Sequence, residues 1–306
     1  MKRASIEGRK ILITGATGQF AKPVVAAYAG KAQVFAAARY AKQEDWDAIA
    51  ALGATPVRID LANPDSLTAL PDVDFVVNAA VAKTDDFTVD LKENAEAVGH
   101  LIRRFQDAEA FLHISTTGVY AYEDHRPRKE EDALGDNHRS MMPTYSIAKI
   151  ATESVARFAA SAFAVPTTIA RLSVPYGDNG GWPWYHLLMM KGGVPIGVHP
   201  EAPNLYNPLH VDDYIEKIPY LLGAASTEAV TVNFGGSQAV SVEEWTAYLG
   251  ELTGLEPTFK QDPAAFGALS IDTSKMHGLI GETKTDWRDG LRRMVEALAP
   301  EMVKVR

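Results

Sequence analysis

A glycine-containing turn directly after an apolar strand is the feature that most constrains this chain. The run Lys10-Ile-Leu-Ile-Thr-Gly-Ala-Thr-Gly-Gln-Phe-Ala21 predicts a strand that ends in a tight turn and continues into a helix. Gly15 and Gly18 have no Cβ, so the backbone can approach a pyrophosphate there. The N-terminus of the following helix favours such an anion. The pattern therefore indicates a dinucleotide-binding unit.

A second motif lies a domain's length downstream, where Tyr145-Ser-Ile-Ala-Lys149 places a phenol and an ammonium one helical turn apart. Residues four apart lie on the same helix face, so the two side chains are neighbours. This spacing also occurs by chance, and the argument therefore depends on order and context. After a glycine-containing turn, the pair indicates dinucleotide-dependent redox chemistry.

Composition and charge argue against several classes of protein. The 306 residues include 39 acidic and 30 basic side chains, with a formal net charge of -9. Nucleic acids and anionic membranes attract Lys- and Arg-rich surfaces, so neither is expected as a partner. The absence of cysteine excludes disulfides, thiolate catalysis and Cys-ligated zinc. The eight His residues lack metal-ligand spacing, so no metal site is expected.

The sequence also predicts no membrane attachment. The segment Met1-Lys-Arg-Ala-Ser-Ile-Glu-Gly8 has basic residues but no apolar stretch after them of the kind found in signal peptides. No run approaches the roughly 18 consecutive apolar residues that a spanning helix needs. We therefore expect a cytoplasmic protein that binds a small-molecule substrate.

Strands and helices are predicted to alternate through the first half of the chain. Longer amphipathic stretches separate most of the short apolar runs, and this βαβ pattern predicts an α/β fold with a doubly wound parallel sheet of the Rossmann type. The predicted strands are Lys10–Thr14, Val34–Ala38, Thr55–Ile59, Phe75–Asn78, Phe111–Ser115 and Thr167–Leu172. The predicted helices are Lys22–Ala29, Leu91–Asp107, Thr144–Phe163, Ser241–Leu252 and Trp287–Leu298.

The texture of the sequence changes after Gly177, where loops and aromatic residues become frequent. We therefore predict a dinucleotide-binding domain over residues 1–177 and a smaller C-terminal substrate lobe that occupies most of 178–306. The run Val230–Phe234 is predicted to return to the main sheet as one more strand.

Five stretches occur in an order that resembles the extended short-chain dehydrogenase/reductase family, of the epimerase/dehydratase type. They are Thr14-Gly-Ala-Thr-Gly-Gln-Phe-Ala21, Asn78-Ala-Ala80, Ser115-Thr-Thr-Gly-Val-Tyr120, Tyr145-Ser-Ile-Ala-Lys149 and His210-Val-Asp-Asp213. Ala21 stands where the family usually has the third glycine of the turn, which is a mild departure.

The resemblance implies roles for three side chains. Tyr145 corresponds to the general acid/base, Lys149 to its partner, and Thr116 to the hydroxyl that holds the substrate oxygen, with Thr117 as the alternative. A free phenol has a pKa of about 10, and a nearby ammonium favours its phenolate. A hydroxyl at Thr116 can donate to a developing alkoxide.

The cofactor is predicted from the end of the second strand, Val34-Phe-Ala-Ala-Ala-Arg39. NAD-binding relatives usually place an acid there for the ribose 2′-hydroxyl, whereas Arg39 suits a 2′-phosphate, so NADP(H) is favoured over NAD(H). Arg39 can alternatively stack on adenine in an NAD enzyme. The predicted cofactor-binding residues are Gly15, Thr17, Gly18, Gln19, Phe20, Arg39, Asp60, Leu61, Asn78, Ala79, Ala80, Tyr145 and Lys149.

The substrate signals depart from the nucleotide-sugar members of that family. Val174 stands where they typically have an Asn near the substrate, and Tyr206 replaces an Arg that could clamp a diphosphate. A more apolar, aromatic pocket is predicted from Trp182, Trp184, Tyr185, His199 and Tyr206, with packing of the lobe as the equal alternative.

These observations predict an NAD(P)-dependent oxidoreductase that interconverts a ketone and a secondary alcohol on a small, non-nucleotide substrate. The first alternative is a redox-neutral nucleotide-sugar epimerase or dehydratase, and the second is a dinucleotide-sensing regulator without catalysis. Members of the family commonly dimerise through two long helices, which correspond here to Leu91–Asp107 and Thr144–Phe163. We therefore expect a homodimer.

Overall fold

A seven-stranded parallel sheet forms the centre of the protein, in a computed structural model that describes residues 1–304. The strands are β1 Lys10–Thr14, β2 Gln33–Ala38, β3 Thr55–Arg58, β4 Phe75–Asn78, β5 Ala110–Thr116, β6 Thr167–Leu172, β7 Pro175–Gly177, β8 Gly180–Gly181, β9 Ile196–Val198, β10 Leu205–Tyr206, β11 Leu209–His210, β12 Val230–Phe234, β13 Val240–Ser241 and β14 Phe259–Gln261. The helices are α1 Ala21–Ala29, α2 Gln43–Ala51, α3 Phe87–Asp90, α4 Ala97–Arg104, α5 Tyr145–Ala162, α6 Trp182–Lys191, α7 Val211–Gly223, α8 Val242–Thr253, α9 Ser274–Ile280 and α10 Trp287–Leu298.

The sheet is doubly wound, as the sequence predicts. Its strand order is β12-β6-β5-β4-β1-β2-β3, and every neighbouring pair is parallel. The chain therefore winds outward from β1 in both directions, and the order reverses between β1 and β4. In sheets of this kind the ligand crevice lies beyond the carboxyl ends of the strands at the reversal.

Side chains of β1 alternate between two separate cores. Ile11 and Ile13 pack into a cluster on one face of the sheet with Tyr28 of α1, and Leu12 packs into a second cluster on the other face with Ala156 of α5. All three β1 side chains are fully buried. A strand that is covered on both faces reads as a continuous apolar run, which is how β1 appears in the sequence.

The predicted helix Leu91–Asp107 is wrong in its bounds. The helical segment begins earlier, at Phe87, because the Asp86 side chain accepts a hydrogen bond from the Val89 amide at 3.0 Å and caps it. It continues as a π-helical segment, Leu91–Glu96, into α4, which ends at Arg104 because Phe105 leaves helical geometry. The other predicted helices begin and end within a residue of the structure's bounds.

Most residues after Gly177 form short strand pairs and helices around a third core that contains Trp245, Tyr176 and Trp287. Three elements belong instead to the main sheet and its cover. β12 pairs in parallel with β6 and so completes the sheet, and α7 and α9 pack into the cluster that contains Ile11 and Ile13. The boundary of the two domains at residue 177 stays a prediction. No helix in residues 1–304 combines the length and apolar character that crossing a bilayer requires.

Candidate active site

Three strand ends bring the predicted site residues to one edge of the sheet. Gly15 follows β1, Asn78 ends β4, and Thr116 ends β5, and these strands are close neighbours with parallel direction. Gly15 has a φ of +65°, and a Cβ at this position would lie 2.9 Å from the Ala79 carbonyl oxygen. Only glycine fits this turn without strain, so the backbone of β1 can pass close to that of β4.

A cleft of about 360 Å³ opens above this turn. Most of the predicted cofactor residues line it, and those that do are Gly15, Thr17, Gly18, Arg39, Asp60, Leu61, Ala79 and Ala80. Phe20 instead stacks on Tyr214 at 4.6 Å between ring centroids, and the Gln19 carbonyl accepts a hydrogen bond from Asn179. The Asn78 side-chain oxygen accepts a hydrogen bond from the Thr14 hydroxyl, and its side-chain nitrogen lies 3.1 Å from His113 Nδ1. Both contacts lie within the protein.

Two acids that the sequence analysis did not identify also line the cleft. Asp45 comes from α2, and Glu93 comes from the π-helical segment. The Glu93 carboxylate lies 3.6 Å from the Arg39 guanidinium, whose side chain is 72% exposed. Neither acid belongs to a recognised motif: Asp45 lies six residues after Arg39, at the start of α2, and Glu93 reaches the cleft from a segment distant in sequence.

The Tyr145 phenol lies against Thr116 at the start of α5. Burial raises the pKa of Tyr145, and the neighbouring Thr116 hydroxyl acts in the opposite direction. The Thr116 hydroxyl oxygen also accepts from the Gly118 amide at 3.0 Å, which fixes its rotamer. The two residues therefore present two hydroxyl groups to the same space.

The side chain of Lys149 is held by the backbone of β5. Its ammonium is buried and donates to the Ile114 carbonyl oxygen at 2.8 Å. Burial lowers the pKa of Lys149 to about 8, with Lys83 also lowering it and the Glu153 carboxylate raising it. Burial is thus the main influence on both Tyr145 and Lys149, and it disfavours the charged form of each side chain.

A buried ion pair anchors α5 to the sheet behind these residues. The Arg171 guanidinium donates to both Glu153 oxygens, at 3.0 and 2.8 Å, and the Ser115 hydroxyl donates to the same carboxylate at 2.6 Å. Glu153 is completely buried, and Arg171 is 3% exposed. These bonds join the helix that carries Tyr145 to β5 and β6.

Two further side chains surround the Tyr145 ring, and the sequence analysis missed both. The Lys83 ammonium lies 4.7 Å from the ring centroid, and the His138 ring centroid lies 5.6 Å from it. The His138 Nδ1 is 3.3 Å from the Ser146 hydroxyl, and burial lowers the pKa of His138 to about 4. No spacing rule links either residue to Tyr145; only the fold brings them together.

The predicted substrate residues occupy different places. Trp182 and Tyr206 line a second cavity in the lobe, whereas Trp184 packs against the buried lobe cluster outside that cavity. Thr117 is buried in a short 3₁₀ turn, and Val174 has a positive φ of 34° just before β7.

This chain belongs to the NAD dependent epimerase/dehydratase family, whose model matches residues 11–235. Nothing among curated proteins matches it. A similar solved structure is UDP-glucuronic acid 4-epimerase from Bacillus cereus in complex with UDP-glucuronic acid and NAD, with a TM-score of 0.80 and 19% identity over 95% of this chain and 99% of that one.

Two other solved structures have the same fold. UDP-glucose 4-epimerase from Thermotoga maritima, with UDP-glucose, has a TM-score of 0.80 and 20% identity over 95% of this chain and 99% of that chain. DesIV, the dTDP-glucose 4,6-dehydratase from Streptomyces venezuelae with NAD bound, has a TM-score of 0.78 and 20% identity over 94% of this chain and 96% of that chain.

Proposed function

We propose that this protein is a nicotinamide dinucleotide-dependent enzyme that removes a hydride from a secondary alcohol and returns it to the same substrate. Such a redox-neutral cycle is an epimerase or dehydratase activity, and the family to which the chain belongs supports it. The observation that carries the proposal is the pairing of Tyr145 with Thr116 at the sheet edge that also holds the glycine turn.

Each residue of the site has a step in this proposal. The dinucleotide would lie in the cleft above Gly15, and when bound it accepts and returns the hydride. Tyr145 removes the hydroxyl proton of the substrate as the carbonyl forms, and gives it back when the hydride returns. The Thr116 hydroxyl donates to the substrate oxygen and orients it. The Lys149 amine is buried one helical turn away. In its protonated form, this amine stabilises the Tyr145 phenolate.

The cleft chemistry favours NAD(H) as the cofactor, in contrast to the NADP(H) preference inferred from Arg39. Asp45, Asp60 and Glu93 line the cleft with Arg39, and Glu93 lies within ion-pair distance of the guanidinium. A 2′-phosphate would add negative charge beside these carboxylates, whereas a ribose hydroxyl can donate to one of them. The solved relatives from Bacillus and Streptomyces hold NAD, which is consistent with this choice.

An isotope experiment tests the cycle. The protein is loaded with NAD and given alcohols that carry deuterium on the carbinol carbon, including UDP-glucose and uncharged secondary alcohols. We expect deuterium to be retained in the product without accumulation of reduced nicotinamide. Tyr145→Phe should bind NAD normally but lose turnover by roughly 10²–10⁴-fold, the usual contribution of general acid–base catalysis. Tyr220→Phe, at a partly exposed position of α7 that lines neither the cleft nor the lobe cavity, is the matched control.

A second candidate is a net oxidoreductase that interconverts a ketone and a secondary alcohol on a small, non-nucleotide substrate. The observation in its favour is the lobe cavity, which is aromatic and contains Tyr206 in the place of a diphosphate-binding Arg. Stoichiometric release of reduced nicotinamide in the same isotope experiment would favour this candidate and contradict the redox-neutral cycle. Wild-type turnover by Tyr145→Phe would contradict both candidates.

A further inference from the structure

The second cavity lies in the C-terminal lobe and has a volume of about 360 Å³. Aromatic and aliphatic side chains dominate its walls, among them Trp182, Met189, Val198, Tyr206 and Phe266. A cavity of this size and character is typical of a site for a small organic molecule.

The charge of the lining argues against an anionic ligand. Within residues 1–304, no Lys or Arg side chain lines this cavity, and its charged member is Asp262. Arg139 belongs to an adjoining groove and is exposed to solvent. A diphosphate placed here would lose hydration without gaining a cationic partner, which is costly in an apolar environment.

One polar group of the cavity has a defined hydrogen-bonding role. The Trp245 indole donates to His186 Nδ1 at 2.9 Å, so this nitrogen carries no proton. Burial lowers the pKa of His186 to about 4, and the neutral ring therefore carries its proton on Nε2. His186 lines the cavity and is 4% exposed, and within residues 1–304 no hydrogen bond joins its Nε2–H to an acceptor. This N–H is a donor available to a ligand in the cavity.

The other buried polar side chains of the lining, Asn204 and Tyr206, are already occupied. The Tyr206 hydroxyl donates to the Gly267 carbonyl oxygen at 2.9 Å. The Asn204 amide donates to the Glu243 carboxylate at 2.8 Å and to the His199 carbonyl oxygen at 3.1 Å. A ligand that brings one hydrogen-bond acceptor therefore matches the cavity better than a ligand with many polar groups.

A continuous row of rings connects this cavity to the candidate active site. Phe266 lies 5.9 Å from Trp182 and 4.2 Å from His138, measured between ring centroids. His138 in turn packs against Tyr145. Ser140 and Met141, which lead into α5, also line the cavity. The wall of the lobe cavity therefore continues, ring against ring, to the side chain of Tyr145.

We propose that this cavity binds an uncharged, largely apolar ring of the substrate and does not bind nucleoside diphosphates. The His186 Nε2–H donates one hydrogen bond to an acceptor atom of this ligand. This inference rests on the proposed function, because it assigns the substrate class of the same site. The substrate would be a secondary alcohol that carries an aromatic or alicyclic group, with the corresponding ketone as the intermediate of the cycle.

Calorimetric titration of the NAD-loaded protein tests this proposal with four probes: acetophenone, ethylbenzene, UDP and UDP-glucose. We expect acetophenone to bind more tightly than ethylbenzene, which lacks the carbonyl acceptor, and UDP and UDP-glucose not to bind at the same concentrations. Binding of UDP or UDP-glucose more tightly than acetophenone would overturn the proposal, as would failure of acetophenone to bind.

Two variants assign the binding to the cavity. His186→Phe keeps an aromatic ring but removes the donor. It should weaken the binding of acetophenone by about tenfold, since a hydrogen bond contributes roughly 1.4 kcal/mol, and leave the binding of ethylbenzene unchanged. Trp182→Leu should weaken the binding of both probes. Trp184→Leu is the matched control, because Trp184 packs in the same lobe but outside the cavity. Unaltered acetophenone binding by Trp182→Leu and His186→Phe would place the ligand elsewhere and contradict the proposal.

The binding measurement separates this inference from the proposed function. A protein that binds acetophenone through His186 but transfers no deuterium to any alcohol supports the cavity assignment and contradicts the redox cycle. A protein that epimerises UDP-glucose through Tyr145 and ignores acetophenone supports the cycle and overturns the cavity assignment. Circular dichroism of every variant confirms that the fold is retained.

Discussion

At the scale of single residues, Lys149 shows how burial changes the chemistry that sequence spacing suggests. Four residues separate it from Tyr145, which is the spacing of neighbours on a helix. The structure adds that the amine is buried against the Ile114 carbonyl and has a pKa of about 8, below its ordinary value of 10.5. A lysine with this pKa can lose and regain its proton near neutral pH.

This lowered pKa predicts a pH dependence of stability. The unfolded chain holds the Lys149 proton up to its ordinary pKa of 10.5, whereas the folded protein releases it near pH 8. Between these values the unfolded state binds more protons, so the free energy of unfolding rises with pH. We expect wild type to gain up to about 3 kcal/mol relative to Lys149→Met between pH 8 and 10.5. Urea denaturation of both proteins measures this difference in the free energy of unfolding. A difference that stays constant between pH 8 and 10.5 would contradict the prediction.

A second prediction at this scale concerns Arg39 and Glu93. Replacing Glu93 by Gln removes a carboxylate from the cleft and releases the guanidinium, so it should shift the ratio of NADP(H) to NAD(H) affinities towards NADP(H) by about threefold to tenfold. Arg39→Asp should shift the ratio towards NAD(H). Fluorescence titration with both reduced dinucleotides measures the ratio.

Glu96→Gln is the control for this change, because Glu96 is an exposed acid of the same π-helical segment that does not line the cleft. Its ratio should equal that of wild type. Equal ratios in wild type, Glu93→Gln and Arg39→Asp would show that neither charge selects the cofactor.

At the scale of elements, α5 depends on a buried ion pair for its position. Glu153→Gln removes the charge that balances Arg171 inside the protein, and breaking one side of a buried pair typically costs about 3–5 kcal/mol. Arg157→Gln is the matched control, because Arg157 contacts the same carboxylate at 3.4 Å from an exposed position and should cost at most about 1 kcal/mol. Urea unfolding compares the two, and equal losses would contradict the anchoring role.

Local patterns predicted the elements whose signals are contained in short stretches of sequence. The β1 run and its glycine turn have such a signal, and so does α10, which has the predicted bounds. The N-terminus of α3 was missed because its signal is a single capping residue, Asp86, ahead of the predicted start. The π-helical segment has no sequence signature.

The residues of the candidate site also fall into those that a local motif predicts and those that no local motif predicts. Gly15 and Tyr145 belong to local motifs, and the sequence analysis identified them. Glu93, His138 and Lys83 lie near them only because distant segments meet at one edge of the sheet. Spacing rules describe neighbours on one element and carry no information about such contacts.

At the scale of the whole molecule, the expected homodimer needs a different test from the one the sequence suggests. On the second half of α5 the sequence has more small and apolar residues than a single buried stripe needs, which predicts a partner-facing surface formed by Val155, Ala156, Phe158, Ala159, Ala160 and Ala162. Ala156, Ala159 and Ala160 are at most 1% exposed and pack in the monomer's own core. A charge at Ala159 would therefore unfold the monomer, whether or not a dimer exists.

Phe158 is the better probe of assembly, because it lies on the same helix and is 71% exposed. A large apolar side chain with this exposure is well suited to contact a second copy of the chain. We expect wild type to sediment as a dimer of 33.2 kDa subunits and Phe158→Glu to shift towards the monomer without loss of thermal stability of the fold. Phe259→Glu, at an exposed position of β14, should leave the dimer intact. A wild-type monomer at micromolar concentration would rule out this interface.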